Sequence, residues 1–272
     1  ALGGPFKVGI KSLDDRVTVR AGGTANVVDL VQQFAAPASD RLTGSATWKS
    51  DINIYRRKAD FVIESDLVGV ASRLPEPFAK NAAAPLALRI ERTVGEGGRQ
   101  QFAATLGNVA QGIVIRHEEK LERAVLAIGD GDARLPDGGV AVRIALPYLD
   151  ADAWRETLAG MDTGGAAGVK APVLAMLSLK TPSLRFLGRD FTQVEAELRP
   201  RDAGWQIALN MQEAAGDLLW QQAGEGSLEG RLRRLVLLPA AESSGANPTL
   251  INSLPALNIT VDDFRIGERL LG

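Results

Sequence analysis

The stretch Trp205-Gln206-Ile207-Ala208-Leu209-Asn210-Met211-Gln212 alternates large apolar residues with small or polar ones, and this period of two returns along most of the chain. Ile52 and Ile54, Phe61 and Ile63, and Leu86, Leu88 and Ile90 keep it. So do Val140, Val142, Ile144 and Leu146, set against Ala141, Arg143 and Ala145. Successive side chains of a strand point to opposite faces, so each such segment predicts a half-exposed strand with one apolar face. Gly95-Glu96-Gly97-Gly98 and Gly129-Asp130-Gly131-Asp132 read as turns between strands. The rhythm of strand, tight turn and strand predicts a mainly β, antiparallel chain.

Two segments depart from that period. Asn26 stands as an N-cap ahead of Val27, Leu30, Val31 and Phe34, whose spacing predicts a short helix near 26–35. Asp150 precedes a second helix near 151–160, where Leu149 and Trp154 hold the positions of a hydrophobic staple and Leu158 lies one turn on. The run from Phe61 begins as a strand and is expected to end at Leu74, because Pro75 and Pro77 continue neither a helix nor a central strand. Gly164-Gly165-Ala166-Ala167-Gly168 is the best boundary candidate, dividing the chain into β-rich segments 1–163 and 169–272. Residues 242–248, polar and turn-rich, are expected to form a mobile loop. The chain opens at Ala1 and closes inside an apolar pattern, so it reads as an interior piece of a longer polypeptide. No run approaches the roughly 18 apolar residues of a membrane span.

Composition excludes more than it assigns. With 31 basic and 33 acidic residues the net charge is -2, which gives no bulk attraction to nucleic acid or to an anionic membrane. The absence of cysteine excludes disulfides, thiolate nucleophiles and zinc–thiolate sites. His117 is the single histidine, which limits any triad or two-histidine metal site, and no Gly-x-Ser-x-Gly elbow occurs. Asp130, Asp132 and Asp137 fail the calcium-loop pattern, which needs an oxygen ligand at Arg134, a glycine at Leu135 and a glutamate at Ala141. The glycines at 95, 97 and 98, and at 224, 226 and 230, miss the phosphate-loop spacings. Arg231, Arg233 and Arg234 cluster without the aromatic residues that nucleic-acid stacking requires. No catalytic residue, metal ligand or cofactor is predicted, and the chain is not expected to be an enzyme.

Several stretches in order resemble the YhdP family of large AsmA-like proteins of Gram-negative bacteria. They are Leu42-Thr43-Gly44 with Trp48, Ser65 to Lys80, Leu135 to Gly139 followed by Leu149 to Trp154, Gly188 to Phe191, Gly204-Trp205, Gly216 with Trp220, and Leu254 to Leu257. Asn258 departs from the pattern, where an aspartate would be more usual. The resemblance covers most of the chain from about residue 42 onward. It implies an elongated, strongly curved sheet, an open-sided trough or half-barrel with an apolar lining. It further implies a periplasmic protein, tethered to the inner membrane by a segment outside this chain, that carries phospholipids between the inner and outer membranes.

A trough suits that role, because exposing acyl chain to water costs about 0.8 kcal/mol per CH₂ and so on the order of 13 kcal/mol for a sixteen-carbon tail. The candidate lining for phospholipid acyl chains is Ile52, Ile54, Phe61, Ile63, Leu86, Leu88, Ile90, Val140, Val142, Ile144, Leu146, Trp205, Ile207, Leu209 and Met211. The same alternation equally fills the dry core of a closed β-sandwich. Two functions therefore stand side by side: a section of a lipid groove, or a structural module that binds other envelope proteins.

Overall fold

The computed structural model describes residues 4–34, 40–56, 58–118, 120–159, 173–202, 204–221, 226–237, 256–266 and 269–270. The boundary candidate at 164–168 and the loop expected at 242–248 lie outside them. The chain divides into two compact units, one made of Ala1–Val140 with Ala153–Val173, the other of Ala141–Asp152 with Leu174–Gly272.

In the first unit, strands β1 (Phe6–Leu13), β2 (Arg16–Asn26), β3 (Leu42–Tyr55), β4 (Lys58–Ser65), β5 (Val70–Ser72), β6 (Leu88–Val94), β7 (Arg99–Leu106), β8 (Ala110–His117) and β9 (Lys120–Gly129) follow in chain order. All but β5 pair as an antiparallel meander, β1–β2–β3–β4–β6–β7–β8–β9. Helix α1 (Val27–Phe34) interrupts it, and the Asn26 Oδ1 accepts the Val28 N–H at 2.9 Å, as an N-cap should.

The run from Phe61 does not continue to Leu74 as one element. β4 stops at Ser65, the chain turns through Leu67 (φ +51) and Gly69 (φ +98), and β5 pairs separately with Leu42–Gly44 of β3. Side chains end the strand. The Ser65 Oγ accepts the Leu67 N–H, and the Asp66 Oδ1 accepts the Val68 N–H at 3.0 Å, so the backbone is bonded locally and leaves the ladder. Gly44 (φ +99) and Gly69 then pass so closely that a Cβ on Gly44 would lie 2.0 Å from the Gly69 carbonyl oxygen. Only glycine fits there.

β10 (Gly139–Ala145) and β11 (Tyr148–Asp150) lead into α2 (Ala151–Ala159); Ala141–Asp152 of this stretch belong to the second unit and the helix from Ala153 belongs to the first. The strands of the second unit follow: β12 (Leu174–Phe186), β13 (Arg189–Arg201), β14 (Gly204–Asn210), β15 (Ala214–Gln221), β16 (Ser227–Leu237), β17 (Ala256–Val261), β18 (Phe264–Ile266) and β19 (Arg269–Leu270). β12 to β16 form an antiparallel meander. Parallel pairing departs from the antiparallel expectation in β11 with β12, β16 with β17 and β16 with β18. Each has the long connection that a parallel pair needs, through α2 or through residues 238–255. The architecture is thus mainly β, open rather than closed into a barrel, mixed in strand direction, with two short helices among the described residues.

Helix α2 sits where expected but turns differently. Thr157 is its buried residue, and Leu158 is 52% exposed. In the first unit, Trp154 meets the Phe78 ring edge-on at 5.8 Å, and its indole N–H donates to the Glu76 carbonyl at 3.0 Å. In the second unit, both oxygens of the Asp152 carboxylate accept backbone N–H groups of the β12–β13 turn, from Leu187 at 2.9 Å and Gly188 at 2.8 Å.

Candidate functional site

Directly paired residues of neighbouring strands share a face, so the register sorts every side chain. In the first unit one row across the sheet reads Ile10, Val19, Ile52, Phe61, Arg92, Phe102, Val114, Ala124. The row beside it reads Val8, Ala21, Ser50, Ile63, Ile90, Ala104, Gly112, Leu126. Ile54 lies opposite Val17 and Ala59 on that face, and Leu88 lies opposite Ser65 and Leu106. Leu86 precedes β6, and its Cδ1 would stand 2.8 Å from a Cβ on Gly107. The residues singled out in β3, β4 and β6 therefore belong to one contiguous apolar face.

Its opposite face in β3, β4 and β6 is charged. Lys49, Glu64 and Arg89 lie in one row there; the Glu64 carboxylate accepts from the Lys49 Nζ at 2.9 Å and the Arg89 Nη1 at 2.6 Å, and Arg89 also binds Glu91. Hydrogen bonds from Lys49 and then Arg89 hold the Glu64 carboxyl below the usual glutamate range.

The second unit repeats the division. Leu177, Leu198, Ile207, Leu218, Gly230 and Ile259 form one row, and Leu179, Ala196, Leu209, Gly216, Leu232 and Val261 form the next. Trp205 pairs with Trp220, which pairs with Leu228. The other face carries Lys180 against Glu195, and Arg231 bound to Asp262 at 2.8 Å. Met211 falls outside β14, in the turn where its N–H donates to the Ala214 carbonyl. Val142 and Ile144 lie in β10 with Val140, and Leu146 follows its end. The expectation of one solvated side fails for β10, because Ala141, on the side opposite Val140 and Val142, is wholly buried.

Burial distinguishes these faces from an ordinary core. Of the candidate lining, Leu146 is buried at 8% exposure, while every other residue keeps an intermediate exposure. The largest side chains that are fully buried among the described residues are Val194 and Thr181, and the buried apolar set is mostly alanine and valine. Most of the big aliphatic groups on these faces are left half open, with Leu232 at 4% exposure an exception. Sequence reading missed Val19, Phe102, Val114, Leu177, Leu198, Leu218 and Leu232 as members of the same faces. Their signal is the cross-strand register, which no single segment carries.

A cleft of about 1110 Å³ in the second unit takes in Met211 of the candidate lining but is otherwise largely polar. Lys180, Glu195, Glu213, Arg234 and Arg265 are among its lining, and Glu213 is satisfied by the N–H and hydroxyl of Thr192. His117 is exposed and its Nε2 lies 3.0 Å from the Gly97 carbonyl, away from any carboxylate partner in the bonds it makes. No group of three or more metal-ligating side chains gathers among the described residues, and no helix there is long and apolar enough to cross a membrane.

Within the stretches that carry the family resemblance, Gly44 and the segment from Ser65 to Lys80 serve the backbone. Gly44 and Gly69 permit the crossing at β5, and the Lys80 Nζ donates to the carbonyls of Leu67 at 2.9 Å, Val70 at 2.8 Å and Asn81 at 3.1 Å. No curated protein and no solved structure matches the chain. The family model described as "YhdP protein" matches residues 1–272. Its match extends over the first forty residues too, where the sequence motifs are weak, and the chain belongs to the YhdP family.

Proposed function

We propose that the apolar sheet faces hold lipid acyl chains, as a section of a hydrophobic groove through which phospholipid passes between the inner and outer membranes. Membership of a family of envelope proteins supports the setting. The observation that supports the reading best is that most large aliphatic side chains of these contiguous faces stay half open, while the buried apolar positions go mostly to alanine and valine. A face of that kind removes water from a tail without sealing the tail's own place. On this reading the chain catalyses no reaction, acts in the periplasm, and meets the membrane through a tether elsewhere in the polypeptide.

A photo-crosslinking residue at Phe61 tests it, with Val62 on the opposite face as the control. Expressed in cells, the Phe61 probe is expected to yield a phospholipid adduct by mass spectrometry and the Val62 probe none. Equal labelling, or none at either site, removes the groove.

A second reading, a spacer that binds another envelope protein, has one observation in its favour. All eight residues of β1 are exposed, with Phe6 at 66% and Ile10 at 67%. A stoichiometric protein partner, with no lipid in the mass spectrum, favours it over conduction.

A further inference from the structure

One member of the first unit's apolar face is a cation. Arg92 pairs with Phe61 on one side and Phe102 on the other, in the row that also holds Ile52 and Val114. Its neighbours in β6 alternate as they should: Ile90 shares its face, and Glu91 points the other way, where it binds Arg89. The arginine is therefore not a slip of register. It stands among the apolar groups.

The guanidinium is half-buried and held in place. Its carbon lies 5.8 Å from the centre of the Phe102 ring, its Nε donates to the Gln100 Oε1 at 3.3 Å, and its Nη1 donates to the Ala59 carbonyl at 3.3 Å. Both acceptors are neutral, and both bonds are long. Among the described residues no carboxylate forms an ion pair with it, whereas Arg20, Arg89, Arg99, Arg199, Arg231 and Arg265 all have one. A charge set among apolar side chains is costly unless an opposite charge meets it. The next row toward the strand ends holds Gln100 opposite Arg116, so the apolar face has a polar margin there. By contrast, the rows from Leu177 to Ile259 and from Leu179 to Val261 in the second unit contain no charged residue.

We infer that Arg92 is an anchor for the anionic head group of an amphiphile whose tail lies on Ile52, Phe61, Ile63 and Ile90. This rests on the groove reading and adds to it the chemistry of the cargo: an oxyanion, phosphate or carboxylate, joined to an alkyl tail. Arginine's planar fork suits both, since it presents two parallel N–H donors to two oxygens.

The test is calorimetric titration of the 272-residue chain with dodecyl phosphate, dodecanoate and dodecyl maltoside, each below its micelle concentration. The three share a tail and differ in head group. Arg92→Gln is expected to weaken the two anionic ligands about tenfold, the scale of one lost charge-assisted bond, and to leave the maltoside unchanged. Arg92→Lys is expected to recover part of the loss, and circular dichroism checks that both variants fold. A loss for the phosphate alone identifies a phosphate head group; a loss for the carboxylate alone identifies a fatty acid. If Arg92→Gln binds all three as the native chain does, the head-group anchor is wrong and the groove stands. If the native chain binds none of them, the groove itself falls.

Discussion

Lys80 spends its charge on the backbone. Its ammonium reaches into the bend after β4 and binds the carbonyls of Leu67, Val70 and Asn81, and burial holds its pKa below the usual lysine range. Replacing it with methionine keeps the length and removes all three donors. Lys80→Met is expected to cost about 1–3 kcal/mol, read as a lower urea midpoint, because part-buried carbonyls lose their partner. Lys80→Arg should not restore the midpoint, since a planar fork cannot reproduce three bonds from one nitrogen. Glycine gives a sharper contrast. Gly44→Ala meets a carbonyl at 2.0 Å with φ at +99, while a Cβ at Gly9 meets nothing within 4 Å. The first substitution is expected to destabilise by at least about 2 kcal/mol and the second by less than about 0.5 kcal/mol. Comparable midpoints for the two would show that the close approach at β5 does not exist in solution.

At the scale of elements, the alternation was legible and its consequences mostly followed. Ile52 with Ile54, Phe61 with Ile63, and Leu88 with Ile90 are each readable as sharing a face, because parity fixes that choice within a strand; that the three strands present one face together comes from the register. β1 escaped notice although Phe6, Val8 and Ile10 alternate with Lys7, Gly9 and Lys11, since a fully exposed strand gives no burial contrast to strengthen a short pattern. In β12 the alternation is plain at Leu184 and Phe186, while Pro182 argues against a strand just before them. The structure accommodates it by leaving Pro182 out of the paired register with β13, opposite Gln193, which has φ +52. Parallel pairing was hidden because local sequence does not state which strand a long connection returns to.

The polar faces make a prediction of their own. Glu64, bonded by Lys49 and Arg89, and Glu195, bonded by Lys180, both titrate below the usual glutamate value. A carboxyl whose folded pKa is depressed adds stability above its unfolded pKa and loses it as pH falls through the folded one. The urea midpoint should therefore hold from neutral pH down to about 5 and drop below about 4, and Glu64→Gln with Glu195→Gln should flatten that drop. Added salt should shrink it too, as Glu195 is exposed and Glu64 half-exposed.

For the molecule as a whole, the question is whether the apolar faces are a core or a working surface, and stability and transport answer it together. A polar substitution in a sealed core destroys the fold, whereas on a half-open face water and neighbouring chains still solvate part of the new group. Val194 is 2% exposed; Ile144 and Leu209 are half-open. If the faces carry tails, Ile144→Asp and Leu209→Asp should block phospholipid delivery to the outer membrane in cells, yet leave the purified chain folded with a loss of about 1–3 kcal/mol. Val194→Asp should unfold it. Far-ultraviolet circular dichroism with urea melts reads the stability, and the outer-membrane phospholipid content of cells carrying the full-length protein reads the transport. Unfolding of all three variants alike would place Ile144 and Leu209 in a closed core, and delivery unaffected by a folded Leu209→Asp would mean that no tail crosses that face.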